Sequence, residues 1–150
     1  MLSKDIKALV LDVDGTLISG RNPVLSNRIK KWILNSKEHF YIYLCSNNPS
    51  KKRIEQIAEQ LDLEFTYSGG KPSKRKLKKV LDKIPYSPKE IAIIGDRVFT
   101  DILVGNRLGM YTILVDSVDS YGKRINRNNF QSLERYLAEI ITGDFLWQHG

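Results

Sequence analysis

Two groups of aspartates in this sequence have a spacing that could bring their carboxylates into one crevice. The first group lies in DVDGTL, residues 12–17, and the second lies in GDRVFTD, residues 95–101. Carboxylates held close together raise one another's pKa values unless a cation lies among them, and Mg²⁺ prefers hard oxygen ligands of this kind. We therefore predict a magnesium site. Its candidate ligands are Asp12, Asp14, Asp96 and Asp101.

The first group is the more specific of the two. Gly15 lets the chain turn sharply after Asp14, so that both carboxylates of the pair can point into the same crevice. By average residue usage, Asp-x-Asp-Gly-Thr arises by chance in about one chain of this length in several thousand. The structural alternatives are a turn that only caps a strand, for the first group, and a helix cap, for Asp101.

Two further polar segments also follow aliphatic runs. Ser46 and Asn47 offer a hydroxyl and a backbone amide that could hold a phosphoryl oxygen, although Pro49 makes an ordinary helix N-terminus the alternative interpretation. Lys71 could neutralise charge on a transferring phosphoryl group, with Lys74 as its nearest competitor.

The elements that must position these residues alternate between strands and helices. Aliphatic and β-branched runs predict five strands, at residues 7–12, 40–45, 64–67, 91–94 and 111–115. Helical apolar stripes begin at Leu25, Ile54 and Leu77, and shorter patterns predict helices over 100–108 and 133–141. This order predicts an α/β fold, a three-layer α/β/α Rossmann-like sandwich around a parallel five-stranded sheet, with ligands at the carboxyl ends of the strands. We expect a single domain over residues 1–150.

Composition limits the classes of site and partner. One cysteine and two dispersed histidines cannot supply a thiolate or imidazole metal cluster, so any metal must be held by oxygen. The absence of a long apolar stretch leads us to expect a cytoplasmic protein. The net charge of +7 is concentrated in basic clusters at residues 51–53, 71–79 and 123–127. These clusters favour a phosphorylated substrate, an anionic membrane surface or nucleic acid, or they are simply solvated helix faces.

The four polar segments, in this order and each after a predicted strand, resemble the motifs of the haloacid dehalogenase-like superfamily, whose members are mostly phosphatases. The resemblance implies that Asp12 attacks phosphorus to give an aspartyl-phosphate, and that Asp14 protonates the leaving oxygen and then activates water. Ser46 and Lys71 would orient and neutralise the phosphoryl group. The remaining residues implied to contact the substrate are Gly15, Thr16 and Asn47.

The resemblance also implies how Mg²⁺ is held. Asp96 is implied as the firmer ligand and Asp101 as a further one, together with Asp12 and the backbone carbonyl of Asp14. Relatives usually gain selectivity from a cap inserted after the first motif or after the third strand. Here the chain leads from residue 17 to the first helix in about a dozen residues and from 69 directly into the lysine-rich helix. We therefore predict an open site without a cap domain.

Residues 95–115 and 122–127 are similar to the subfamily IIIA branch known as YqeG, which resembles the phosphatidylglycerophosphate phosphatases. This similarity implies a lipid phosphate substrate, which suits the basic surface and a peripheral position at the inner face of a membrane. The tail at residues 145–147 could enter the interface or pack onto the domain.

Other classes fit less well. A cysteine phosphatase using Cys45 needs an arginine six residues later, where the chain has Lys51. A receiver domain carries its acceptor on the third strand, where Thr66 and Tyr67 offer no acid. A basic nucleic-acid-binding module remains an alternative, but the aromatic residues near 40–43 fall on a strand and not beside the lysines. Soluble sugar or nucleotide monophosphates remain alternative substrates.

Overall fold

The computed structural model of the chain describes residues 5–18, 24–71 and 73–115. Its framework is one sheet of five parallel strands in the order β3-β2-β1-β4-β5. The strands are β1 Ala8–Leu11, β2 Tyr41–Cys45, β3 Glu64–Thr66, β4 Ile91–Gly95 and β5 Tyr111–Leu114. All five predicted strands are therefore present, and each begins and ends within one residue of its expected position.

The central position of β1 decides where the polar segments meet. Leu11 pairs with Leu44 on one side and with Ile94 on the other, so the first motif lies between the segments that follow β2 and β4. The four residues of β1 are fully buried, because helices cover both faces of the sheet.

Within the described residues, four α-helices connect the strands: α1 Asn27–Ser36, α2 Lys51–Leu61, α3 Lys74–Lys83 and α4 Leu103–Arg107. The first three begin at serine caps, where the side chains of Ser26, Ser50 and Ser73 each accept a backbone N–H of the first turn. A short 3₁₀ turn, Pro88–Glu90, precedes β4. The helix predicted over 100–108 is a π-helical turn at Val98–Ile102 followed by α4.

Two apolar clusters separate the layers. On one face of the sheet, Leu9, Leu11 and Leu44 pack with Ile33 of α1 and Ile57 of α2. On the other face, strand residues pack with α3 and α4. The residues of this second cluster include Val10, Tyr43, Ile93, Leu77, Val80 and Val104. The three-layer α/β/α fold predicted from the alternating pattern is confirmed.

No cap domain is present in the part of the chain that the structure describes. The connection from β3 to α3 spans only residues 67–73, and that from β1 to α1 spans 12–26. The terminal helix expected over 133–141, the basic residues at 123–127 and the tail at 145–147 lie outside the described residues. Among the residues that are described, no helix is long and apolar enough to cross a bilayer.

Candidate active site

The first motif turns over the carboxyl end of β1. Asp12 is largely buried, and Gly15 adopts a φ of +80°, a conformation that costs glycine little. A Cβ atom at Gly15 would lie 2.4 Å from Asp96 Oδ2, so the glycine also leaves the space that brings Asp96 next to this turn. The Thr16 hydroxyl lies 3.4 Å from Asp12 Oδ2 and donates toward it. The motif therefore needs Gly15 for its conformation and for its close approach to Asp96.

Lys71 joins the first motif to the last. Its ammonium group donates to Asp12 Oδ1 at 3.1 Å, to the backbone oxygen of Cys45 at 2.8 Å and to Asp101 Oδ1. The Lys71 side chain is only 1% exposed, so the charge reaches the site from inside the protein. Lys74, the competing candidate, is exposed on α3. The structure thus places Lys71 and not Lys74 beside the predicted nucleophile.

Asp101 reaches the site because the chain after β4 forms a wide turn. The backbone N–H groups of Asp101 and Ile102 both donate to the Arg97 oxygen, which is the pattern of a π-helical turn, a feature often found at functional sites. Asp101 is fully buried and paired with Lys71. The alternative in which it only caps a helix does not account for this ion pair.

Three carboxylates form a group that fits a hard cation. Oxygen atoms of Asp12, Asp96 and Asp101 lie within 4.8 Å of one another. An all-oxygen, anionic donor set of this size suits Mg²⁺. The Asp14 carboxylate is not part of the group, so its predicted metal contact remains the one through its backbone carbonyl. The metal assignments at all four residues stay predictions.

The electrostatics of the site follow from burial. Burial raises the pKa of Asp12 to about 7, because lost hydration and the neighbouring charges of Asp101 and Asp96 outweigh the attraction of Lys71. Burial lowers the pKa of Lys71, but Asp12 and Asp101 raise it by more, so this pKa lies above its ordinary value. Lys71 therefore stays charged at neutral pH.

The segment after β2 forms one wall of the site. Ser46 is buried, and its Oγ accepts the backbone N–H of Asn48 at 3.0 Å. Asn47 makes a reciprocal pair with Lys71: its Nδ2 donates to the Lys71 oxygen at 2.9 Å, and its Oδ1 accepts the Lys71 N–H at 2.8 Å. This pair fixes the backbone from which Lys71 enters the site. Contact of Asn47 with a substrate remains a prediction.

A cavity of about 260 Å³ opens among these segments. Asp12, Asp14, Ser46 and Lys71, the four residues assigned catalytic roles, all line it. Gly15 and Thr16 do not line it. The other lining residues are Asn47, Asn48, Arg97 and Thr100. The nucleophile, acid and phosphate-holding candidates predicted from the sequence therefore share one cavity.

Two residues at Asp14 were missed from the sequence. Arg53 contacts Asp14 Oδ1 through Nε at 3.1 Å and through a terminal nitrogen at 2.9 Å, and Asn48 Nδ2 donates to Asp14 Oδ2 at 3.1 Å. In the sequence, Arg53 stands out only as part of the basic cluster at residues 51–53. Its place in the first turn of α2, close to the end of β2, was the one signal available.

The fold and the site together define a hydrolase of the haloacid dehalogenase (HAD) class. An Asp-x-Asp turn follows the central strand of a parallel sheet, and a buried lysine and two further aspartates after β4 complete the site. The family described as HAD-hydrolase-like matches residues 68–132. The chain is 30% identical over 146 residues to the probable phosphatase YqeG of Bacillus subtilis, covering 97% of this chain and 85% of that protein. The chain therefore belongs to the HAD family and is a phosphohydrolase.

Two further comparisons agree. The mitochondrial phosphatidylglycerophosphatase GEP4 of Saccharomyces cerevisiae is 28% identical over 149 residues, with 91% of this chain and 78% of that protein covered. A crystal structure of an uncharacterized protein from Listeria monocytogenes superposes with a TM-score of 0.69 at 15% identity, covering 91% of this chain and 99% of that one. The second comparison supports the fold alone. Membership of a phosphatase family implies a phosphorylated substrate.

Proposed function

We propose that the protein hydrolyses a phosphomonoester through an aspartyl-phosphate on Asp12, with Mg²⁺ as cofactor. The observation that carries this proposal is the contact of the buried Lys71 ammonium with both Asp12 and Asp101 at the cavity wall. A buried cation beside a carboxylate can hold the anionic phosphoryl group near its attacker, where repulsion would otherwise keep the two apart.

In the first step, a carboxylate oxygen of Asp12 attacks phosphorus and the bond from phosphorus to the ester oxygen breaks. Asp14 gives its proton to that leaving oxygen, and the alcohol departs. Lys71 and the Ser46 hydroxyl hold the oxygens of the transferring group. Both line the same cavity as the two aspartates.

In the second step, Asp14 takes a proton from water while the water oxygen attacks phosphorus. The bond from phosphorus to Asp12 breaks, which releases inorganic phosphate and regenerates both carboxyl groups. The 37% exposure of the Asp14 side chain allows water to reach it. Asp12, Asp96, Asp101 and the Asp14 carbonyl oxygen would hold Mg²⁺. When bound, the ion would neutralise negative charge on the phosphoryl oxygens.

We propose phosphatidylglycerophosphate as the substrate, met at an anionic membrane surface. The name of the yeast relative supports this choice, and so does the absence of a cap among the described residues, since an open site can reach a headgroup. The solvent face of α3 adds charge next to the site. Its exposed basic residues are Lys74, Arg75, Lys76, Lys78, Lys79 and Lys83.

We infer that Phe99, in the π-helical turn after β4, supplies an apolar contact with the membrane. Phe99 is 81% exposed, and two residues close to it in the sequence, Arg97 and Thr100, line the cavity. An exposed aromatic ring beside basic residues suits the boundary between headgroups and acyl chains. Because α3 begins three residues after Lys71, its basic face starts at the site itself.

Phosphate release from phosphatidylglycerophosphate in mixed micelles tests the proposal. We expect turnover with Mg²⁺ that is lost with EDTA and in Asp12→Asn, whereas Asp62→Asn, the same change at an exposed helix C-cap, keeps it. Turnover of a soluble aryl phosphate alone would retain the chemistry and exclude the lipid. Lack of turnover of both, or EDTA-resistant turnover, would contradict the proposed mechanism.

A further inference from the structure

We propose that Arg53 is a positioning residue that fixes the Asp14 carboxyl group for proton transfer to the leaving oxygen. This inference rests on the proposed function of Asp14. Two nitrogens of Arg53 contact Oδ1 of Asp14, at 3.1 and 2.9 Å, while Asn48 Nδ2 contacts Oδ2 at 3.1 Å. Donors on both oxygens define the orientation of a carboxyl group, because neither rotation nor translation preserves all three contacts.

Arg53 itself is placed by a series of side-chain to backbone hydrogen bonds that begins at the phosphate-holding serine. Ser46 Oγ accepts the N–H of Asn48, and Asn48 Oδ1 accepts the N–H of Ser50. Ser50 Oγ then caps α2 by accepting the N–H of Arg53. The connection from β2 to α2 therefore sets Ser46, Asn48 and Arg53 in fixed relative positions.

The same network orients the Asn48 amide. Since its Oδ1 accepts a backbone N–H, its Nδ2 must be the group that faces Asp14. Asn48 thus links the loop conformation to the Asp14 carboxyl group. The segment after β2 and the first turn of α2 therefore contribute both the Ser46 hydroxyl to the cavity wall and the Asn48 and Arg53 contacts to Asp14.

Burial differs between the two partners in a way that suits this role. The Arg53 side chain is 15% exposed, and the Asp14 side chain is 37% exposed. Arg53 is therefore confined by the surrounding protein while Asp14 remains accessible from the cavity. A confined cation that hydrogen-bonds to an accessible carboxyl group can fix the orientation of that group without occupying the place of the substrate.

The dependence of kcat/KM on the leaving group tests this role. A dinitrophenolate departs without a proton, whereas a simple alkoxide needs one, so misplacing Asp14 should slow hydrolysis of alkyl phosphates far more. For Arg53→Gln we expect kcat/KM to fall roughly 10- to 100-fold with glycerol phosphate and only a few-fold with 2,4-dinitrophenyl phosphate. The value of kcat/KM is used because it covers only the steps up to phosphoryl transfer.

Three variants make the result specific. Arg53→Lys, which retains the charge and one nitrogen, should recover part of the loss, and Lys52→Ala, at an exposed neighbour on α2, should behave as wild type. Asp14→Asn should show the same selective loss in a stronger form. Thermal unfolding checks that each variant is folded, and Arg53→Ala repeats the comparison if Arg53→Gln is not.

The inference would be overturned if the Arg53 variants lost kcat/KM equally with both esters, or lost none, and Asp14→Asn still showed a selective loss. If Asp14→Asn itself showed no selectivity for the leaving group, the proposed role of Asp14 would fail, and the positioning role of Arg53 would fail with it.

Discussion

Gly95 leaves the space that the Asp101 carboxyl group occupies. A Cβ atom on Gly95 would lie 2.1 Å from Asp101 Oδ2 and 2.2 Å from its Cγ, closer than any two such atoms can approach. The last residue of β4 and the buried aspartate of the following turn are therefore a matched pair. The glycine is required for the acid to reach Lys71, and this relation leads to the first prediction.

Gly95→Ala should displace Asp101 and with it the contact to Lys71. We expect phosphatase activity to fall at least 100-fold and the free energy of unfolding to fall by about 1–3 kcal/mol from overpacking. Gly109→Ala is the control, since Gly109 has a φ of +74° but nothing within 4 Å of an added Cβ. It should lose stability from backbone strain yet keep its activity. Wild-type activity in Gly95→Ala would contradict the placement of Asp101.

Lys71→Met should leave two buried carboxylates without their cation. Breaking one side of a buried ion pair costs about 3–5 kcal/mol, so we expect that loss in metal-free unfolding experiments and a smaller loss with Mg²⁺ present. Activity should be abolished. Lys74→Met, at the exposed competing lysine, should change neither the free energy of unfolding nor the turnover of a soluble aryl phosphate. Comparable losses in the two variants would show that general charge, and not the position of Lys71, matters.

The raised pKa of Asp12 gives a pH dependence with a definite sign. Its value of about 7 lies above the ordinary 3.8, so between these values the folded metal-free protein binds more protons than the unfolded chain. Stability should therefore decrease as pH rises from about 4 to about 7. Mg²⁺ must displace that proton, so its affinity should weaken by about tenfold for each pH unit below 7.

Thermal unfolding across this pH range, in EDTA and in saturating Mg²⁺, measures the effect. The side chain in Asp12→Asn cannot titrate, so the pH profiles of this variant in EDTA and in Mg²⁺ should be parallel. Parallel pH profiles with and without Mg²⁺ in the unmodified protein would rule out Asp12 as the group that links protons to the metal.

Cys45 should be inert. Burial raises the pKa of its thiol to about 11, and the side chain is fully buried, so the reactive thiolate is both scarce and inaccessible near neutral pH. We expect no reaction with a thiol reagent until the protein unfolds, and activity within about threefold of wild type in Cys45→Ala. Because the folded pKa is the higher one, stability should fall as pH rises from about 9 to about 11. Loss of activity on alkylation of the folded protein would revive the cysteine mechanism.

The basic face of α3 should matter only at a membrane surface. Replacing Lys78 and Lys79 by glutamine removes two exposed charges, which should weaken binding to anionic vesicles by roughly 2 kcal/mol, or about 30-fold. Lipid turnover should fall while aryl phosphate turnover is unchanged. Asp82→Asn, on the same helix, should strengthen binding slightly. Vesicle binding that is insensitive to both the substitutions and salt would exclude an electrostatic contact.

The strand pattern and the motifs could be predicted from the sequence because both are local. Buried aliphatic runs mark β1, β2 and β4 wherever the strands finally lie, and Asp12, Ser46 and Asp96 are fixed to the ends of those runs by chain connectivity. In a parallel sheet these ends share one edge. The type of site therefore follows from residue order alone.

Only the tertiary structure decided which side chains meet. Arg53 and Asp14 are 39 positions apart, and their contact depends on how α2 is rotated over the sheet, which helix propensity does not specify. The pairing of the Asn47 amide with the Lys71 backbone, and the wide turn that directs Asp101 to Lys71, likewise depend on the positions of separate elements. Periodicity determines which face of an element is buried, whereas packing between elements determines the partners of its polar side chains.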